Sequence, residues 1–321
     1  MTVMHRRKLL LAGATLAFAR ASRAQSDHGA HSDQYESLAK SGRIPLPTVA
    51  KTQWSIESPA PKAANAGRWV TRAALPLPRS EMAWATQHAD RMHMLGGYAE
   101  QRVDRPYHHV YDPVADRWTD GASLPRGANH VGVCVDDAKL YAIGGHLAQN
   151  AKPDALCFVL DLKTGVWSPI APLPNRCGAV AATAMGGRVH AIGGAIGDTS
   201  AEKKSVDWHY AYEPKGDRWE KLVPLPTGRD HTGTVTVGNF IHVIGGRVDN
   251  FHTNSNLHHV YDAQKDRWEM RRPLPTARSG HGAALYQGKI FVMGGEGTDR
   301  VYGQNEAYDS AADRWKRTRR C

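Results

Sequence analysis

Asn239-Phe240-Ile241-His242-Val243-Ile244-Gly245-Gly246, followed by Tyr261-Asp262 and then by Asp266-Arg267-Trp268, is the stretch on which the fold turns. Its apolar run is short, rich in β-formers and closed by two glycines, as a strand ending in a tight bend should be. The same three marks recur along the chain. Gly-Gly pairs stand at 96–97, 144–145, 193–194, 245–246 and 294–295, with spacings of 48, 49, 52 and 49 residues. Each is followed by an aromatic or apolar residue with an acid: Tyr111-Asp112, Leu160-Asp161, Tyr212-Glu213, Tyr261-Asp262 and Tyr308-Asp309. Seven residues after the first member of each pair comes a tryptophan, at Trp118, Trp167, Trp219, Trp268 and Trp315, and four of these sit in an Asp-Arg-Trp triplet. Self-similarity at a fixed period of this size marks a repeat architecture. Each repeat has room for four short antiparallel strands. A lone four-stranded sheet cannot cover both its faces, so such units stack around an axis.

These marks in this order resemble the kelch motif. The resemblance covers most of the chain from about residue 69 onward, and it implies an all-β propeller. With strands of a blade lettered a to d from the axis outward, the tryptophan belongs to strand d. A Leu-Pro pair follows it at Leu124-Pro125, Leu173-Pro174, Leu225-Pro226 and Leu274-Pro275, and Leu75-Pro76 stands in the same relation to Trp69. Trp69 has no Gly-Gly before it and reads as an orphan outer strand. The expectation is five complete four-stranded blades plus that strand, in a six-bladed ring lacking its last strands. A five-bladed ring decorated by Trp69 is the alternative. The domain reading is a signal peptide over 1–24, a polar linker over 25–66 and the propeller over 67–321.

The chain carries 41 Lys and Arg against 31 Asp and Glu, a surplus that invites a nucleic-acid reading until it is located. Five bases lie in residues 1–24 and four in the last six residues, with no acid in either segment. What remains is close to neutral, whereas a phosphate-tracking face needs clustered excess base. No nucleic-acid partner is expected. The first bases belong to an export signal: His5-Arg6-Arg7-Lys8, an apolar run from Leu9 to Ala19, then small residues around Ala19-Arg20-Ala21 and Ser22-Arg23-Ala24. The paired arginines suit a twin-arginine signal, which predicts a periplasmic or secreted protein. The apolar run is about half of the ~20 residues a membrane helix needs, so no integral membrane segment is expected after signal removal. Four cysteines, Cys134, Cys157, Cys177 and Cys321, form no Cys-x-x-Cys pair. They point neither to a zinc ribbon nor to a redox centre, and the internal three read as buried thiols rather than bridged ones.

Strand direction places the d-to-a and b-to-c loops on one face. The d-to-a loops deliver Arg79, Arg126, Arg176, Arg229 and Arg278, accompanied by His130, His231 and His281 and by Glu81 and Asp230. The b-to-c loops add His146, Asp198, His252 and Glu296. Guanidinium groups in a ring would suit carboxylates, through paired hydrogen bonds to both oxygens. The expected function is therefore an exported binding protein that uses an arginine-rich face for a carbohydrate or protein ligand. The competing reading leaves the arginines as parts of the repeat that bond neighbouring blades. Some kelch propellers are mutarotases or epimerases of sialic acid, and that resemblance implies an alternative: acid–base chemistry on a sugar acid, with Glu81 and His231 as catalytic candidates and Arg229 holding the substrate carboxylate. Others are copper radical oxidases. Those need a cysteine-linked tyrosine and a histidine from a following domain, whereas the Tyr107-His108 step falls in an outer strand, so neither a metal nor a cofactor is expected. The pairs His108-His109 and His258-His259 read as sheet residues, because adjacent strand residues face opposite ways.

Overall fold

The computed structural model describes residues 70–83, 86–98, 104–149, 151–250, 252–297 and 300–318, all within one compact unit, Val49–Cys321. The signal segment, the linker, Trp69 and Cys321 lie outside the described residues. Among the described residues there is no helix, and the strands form five four-stranded antiparallel sheets.

Blade I comprises β1 (Thr86–His88), β2 (Arg91–Leu95), β3 (His108–Asp112) and β4 (Arg117–Asp120). Blade II comprises β5 (Gly132–Asp136) and β6 (Lys139–Ile143), a hairpin of β7 (His146–Ala148) and β8 (Ala151–Pro153) in the b-to-c loop, then β9 (Cys157–Asp161) and β10 (Val166–Ile170). Blade III repeats the plan with β11 (Ala181–Met185), β12 (Arg188–Ile192), the hairpin β13 (Ala195–Ile196) and β14 (Lys204–Ser205), β15 (His209–Glu213) and β16 (Arg218–Lys221). Blade IV is β17 (Gly233–Val237), β18 (Phe240–Ile244), β19 (His258–Asp262) and β20 (Arg267–Met270). Blade V is β21 (Gly282–Tyr286), β22 (Lys289–Met293), β23 (Asn305–Asp309) and β24 (Arg314–Arg317).

The recurring residues now have physical roles. Seven positions bring the tryptophan of strand d directly opposite the tyrosine of strand c, as in Tyr212 with Trp219, whose rings lie 5.3 Å apart. The acid beside that tyrosine closes the c-to-d turn: Asp112 Oδ1 accepts the N–H groups of Val114 and Ala115. The acid before Arg-Trp takes the left-handed conformation there, at φ 45° for Asp217, and accepts the Tyr212 hydroxyl at 2.8 Å. The glycine pair lets adjacent blades meet. Gly97 N–H donates to Ala128 O of blade II at 2.8 Å, and a Cβ on Gly97 would stand 2.5 Å from Ser80 O. Only glycine fits that approach at positive φ.

The apolar core consists of four wedges, one between each pair of successive blades. Leu95 with Leu140 and Leu160 fills I–II, and Tyr141 with Val189 and Tyr212 fills II–III. Ile192 with Ile241 and Tyr261 fills III–IV, and Ile244 with Ile290 and Tyr308 fills IV–V. Among the described residues no such cluster joins blade V to blade I. The innermost strand of blade V accordingly leaves Leu285 47% and Tyr286 61% exposed. Cys134, Cys157 and Cys177 are buried free thiols of the II–III wedge, and burial pushes the last two up to about 12.

Candidate functional site at the channel mouth

Every d-to-a loop enters its innermost strand through one residue held at positive φ: Glu81 (54°), His130 (50°), Ala179 (52°), His231 (56°) and Gly280 (59°). The residue just before each pairs with the residue that follows the glycine pair, giving Ser80–Tyr98, Asn129–His146, Gly178–Ala195, Asp230–Arg247 and Ser279–Glu296. This left-handed step is a property of the repeat, and it brings three functional side chains together. His130 of blade II and His231 of blade IV meet with ring centroids 4.7 Å apart, although their blades are not neighbours. Glu81 Oε2 of blade I lies 2.8 Å from His130 Nε2.

Both imidazoles are oriented by the residue before them. His130 Nδ1 donates to Asn129 Oδ1 at 2.5 Å, and His231 Nδ1 donates to Asp230 Oδ1 at 2.5 Å. The Asn129 amide is itself fixed, because its Nδ2 donates to Asp104 Oδ1 at 2.7 Å. Arg247, 1% exposed, ties the mouth together. Its Nε donates to Asp230 at 3.0 Å, Nη1 to Glu296 of blade V at 3.1 Å and Nη2 to His231 Nε2 at 3.0 Å. Lys203 and Ser205 of blade III reach the same Asp230 carboxylate at 3.3 and 2.6 Å. All five blades therefore contribute.

The electrostatics follow from burial opposed by close charge. Burial alone would raise Asp230, but Lys203, Arg247 and His231 hold it well below the usual carboxylate range. Burial would likewise raise Glu81, and His130, His231 and Arg247 outweigh it, keeping the carboxyl ionised. Glu296 is raised by burial and by the nearby Glu81 charge, against the pull of Arg247. Burial and the charge of Arg247 lower His231 to about 3, and burial lowers His146 to about 2, so both are neutral at ordinary pH.

The kelch motif is matched over residues 128–174, which run from the d-to-a loop of blade II through its four strands to the Leu-Pro of the next loop. The chain is a five-bladed β-propeller that carries the kelch motif. A kelch repeat-containing protein of Arabidopsis thaliana is similar to it at 25% identity over 197 residues, 59% of this chain and 45% of that protein. Kelch-like protein terF of Aspergillus terreus is 26% identical over 237 residues, 68% of this chain and 50% of its own. Kelch-like protein 38 of Homo sapiens is 26% identical over 164 residues, covering 51% and 26%. The matches span half or less of these curated relatives.

Within this kelch propeller the expected arginines do not form a ring at the mouth. Arg79, Arg229 and Arg278 stand two residues before the axial step and turn away from it, into their own blades. Arg79 Nη1 donates to His109 Nδ1 at 2.6 Å and Arg229 Nη1 to His259 Nδ1 at 3.0 Å. Arg278 Nη1 pairs with Glu306 at 2.6 Å, both side chains wholly buried. Each guanidinium also bonds a strand-b carbonyl, those of Met94, Val243 and Val292. Arg126 starts two residues earlier in its loop and pairs with Asp154 at 2.9 Å, with its guanidinium over Phe158. Arg176 is exposed and faces Asp198 at 3.2 Å. His281 stands one residue past the axial step and packs between blades IV and V against Gly233 and Gly245. Glu81, His130 and His231 do converge. Arg247 and Lys203 escaped the sequence reading, although the place of Arg247 directly after Gly245-Gly246 marks it as a partner of the axial step.

Proposed function

We propose that this kelch propeller is an exported binding protein that holds a carbohydrate or protein ligand at the polar mouth of its channel. The reading rests on the convergence of Glu81, His130, His231, Arg247 and Glu296 from four blades onto one small area. The equivalent positions of blades III and V carry Ala179 and Gly280, and the Glu296 side chain packs against Gly280. Buried polar groups that are pre-oriented by neighbours fix the pose of a ligand at little ordering cost. The exposed Arg176 and the partly buried Arg126 stand on the loops that flank this mouth and could extend the contact to an acidic group. The export signal at 1–24 supports a periplasmic or secreted location.

The alternative is acid–base chemistry on a sugar acid such as sialic acid. The short Glu81–His130 contact beside a buried arginine favours it, since proton transfer needs a positioned base and a held substrate. A thermal melt of the full-length protein with acidic and neutral sugars separates the readings. A bound sugar at ~100 times its Kd adds roughly 2.7 kcal/mol and raises Tm by some degrees. A shift with either class that Glu81→Gln abolishes supports the mouth as the binding site. No shift with any sugar turns the proposal to a protein ligand, and proton NMR of sugar-acid anomers detects turnover directly.

A further inference from the structure

We propose that Glu81, His130 and His231 bind a divalent first-row transition-metal ion at the channel mouth. One donor atom from each lies within 4.8 Å of the others, which one ion can bridge. Two imidazole nitrogens and one carboxylate are a donor set suited to zinc, iron or cobalt, and three protein ligands leave further positions open towards the channel.

The hydrogen bonds of His130 carry the argument furthest. Asn129 Oδ1 is an acceptor, because the other end of that amide donates to Asp104, so the His130 ring proton sits on Nδ1. Nε2 then presents a lone pair, and it faces the Glu81 carboxylate at 2.8 Å. A lone pair against a carboxylate is repulsive unless a cation lies between them: either a second proton on the imidazole or a metal ion. His231 is arranged the same way, with its Nδ1 proton on Asp230. Imidazoles that ligate metals characteristically donate their other N–H to a carboxylate or carbonyl oxygen, which fixes the ring and raises its basicity. Two such histidines, on non-neighbouring blades, each place a nitrogen within 4.8 Å of one carboxylate.

The local charge agrees. Glu81, Asp230 and Glu296 contribute three negative charges, opposed by Arg247 and Lys203. These five side chains sum to a net charge of −1, which a dication is attracted to and reverses. Arg247 Nη2 now engages the His231 Nε2 lone pair. An ion takes over that lone pair and leaves Arg247 its two carboxylates, Asp230 and Glu296. The inference does not depend on which organic ligand the protein takes.

The test is equilibrium dialysis of metal-stripped full-length protein against Zn(II), with Co(II) as the optical probe. The expected result is one ion per chain, with the visible absorption of Co(II) bound to nitrogen and oxygen donors. His130→Ala and His231→Ala lose it. Glu81→Gln, a conservative change at a half-buried position, weakens it while leaving the far-UV spectrum and melt intact. Asn129→Leu keeps the ligand but removes the acceptor that orients it, and weakens binding about 10–100-fold. Absence of a bound ion, or an ion whose affinity is the same in Glu81→Gln and wild type, overturns the proposal and assigns the Glu81–His130 contact to a proton. The sugar melt proposed for the organic ligand is read separately, so either result stands without the other.

Discussion

The hydroxyl of Tyr212 donates to Asp217 at 2.8 Å, and the same carboxylate oxygen accepts the backbone N–H of Ala171 at 2.7 Å, from the end of the preceding blade. Trp219 completes the clasp by donating its indole N–H to Ala171 O at 2.8 Å. The same arrangement joins Tyr111, Asp116 and Trp118 to Ala73, and Tyr308, Asp313 and Trp315 to Arg272. It is the physical content of the Tyr…Asp-Arg-Trp pattern: each blade grips the chain that leaves the one before.

Replacing Asp217 by Ala leaves the Tyr212 hydroxyl and the Ala171 N–H without their shared acceptor. Hydrogen bonds to a charged group are worth about 1.5–3 kcal/mol. The expected loss in urea-melt stability lies near the lower figure, because water reaches the turn. An unchanged midpoint would deny the clasp a role.

Blade II lacks both partners at once, with Leu160 for the tyrosine and Gly165 for the acid, and only Trp167 reaches back, to Ala122 O at 2.9 Å. A Cβ on Gly165 meets nothing within 4 Å, and its φ of 73° lies in the left-handed region that aspartate occupies in the other blades. Leu160→Tyr together with Gly165→Asp should restore the clasp and add about 1 kcal/mol. The two changes should be coupled, each alone giving less than half the effect in a double-mutant cycle.

Three blades bury a hydrogen-bonded histidine pair between strands b and c. His93 Nδ1 meets His108 Nε2 at 2.9 Å, His190 meets His209 at 2.9 Å and His242 meets His258 at 2.8 Å. The second ring of each is anchored by a carbonyl, as His108 Nδ1 is by Ala122 O at 2.9 Å. Burial lowers His93 to about 4, with the neighbouring His108 charge adding to it, and lowers His242 to about 4. It lowers His190 and His258 to about 3. Their folded-state values lie below the unfolded value of 6.5, so between these limits the unfolded chain binds more protons. The stability is complete above pH 6.5 and is lost as pH falls towards 4. Tm measured from pH 7 to pH 4 should fall steeply, and His242→Gln should flatten that fall.

Arg278→Met takes the nearest cation from the buried Glu306 carboxylate, leaving it the Thr276 hydroxyl at 2.9 Å and Arg317 Nε at 3.5 Å, and should cost about 3 kcal/mol, the lower end for a broken buried pair. Among the described residues Arg229 has no carboxylate partner, and burial lowers it to about 9. Arg229→Met should therefore cost clearly less. Equal losses in chemical denaturation would contradict the assigned partners.

On the proposed twin-arginine route, export rests on Arg6-Arg7. Changing both to Lys should retain the protein in the cytoplasm with its signal uncleaved, read by cell fractionation and mass.

Local pattern was sufficient for the blades. Strand runs, glycine pairs and the seven-residue step from tyrosine to tryptophan act within one repeat, so their meaning survives without knowledge of the neighbours. The convergence of Glu81, His130 and His231 was partly legible for the same reason, since all three fall at one place in the repeat. The direction of Arg79, Arg229 and Arg278 was not. A side chain two residues before the axial step can turn to the channel or into its own blade, and a strand-c partner some 28 to 30 residues away decides which. The pairing of blade II with blade IV through two imidazoles likewise has no local signal, because it arises only when the repeats are arranged around one axis.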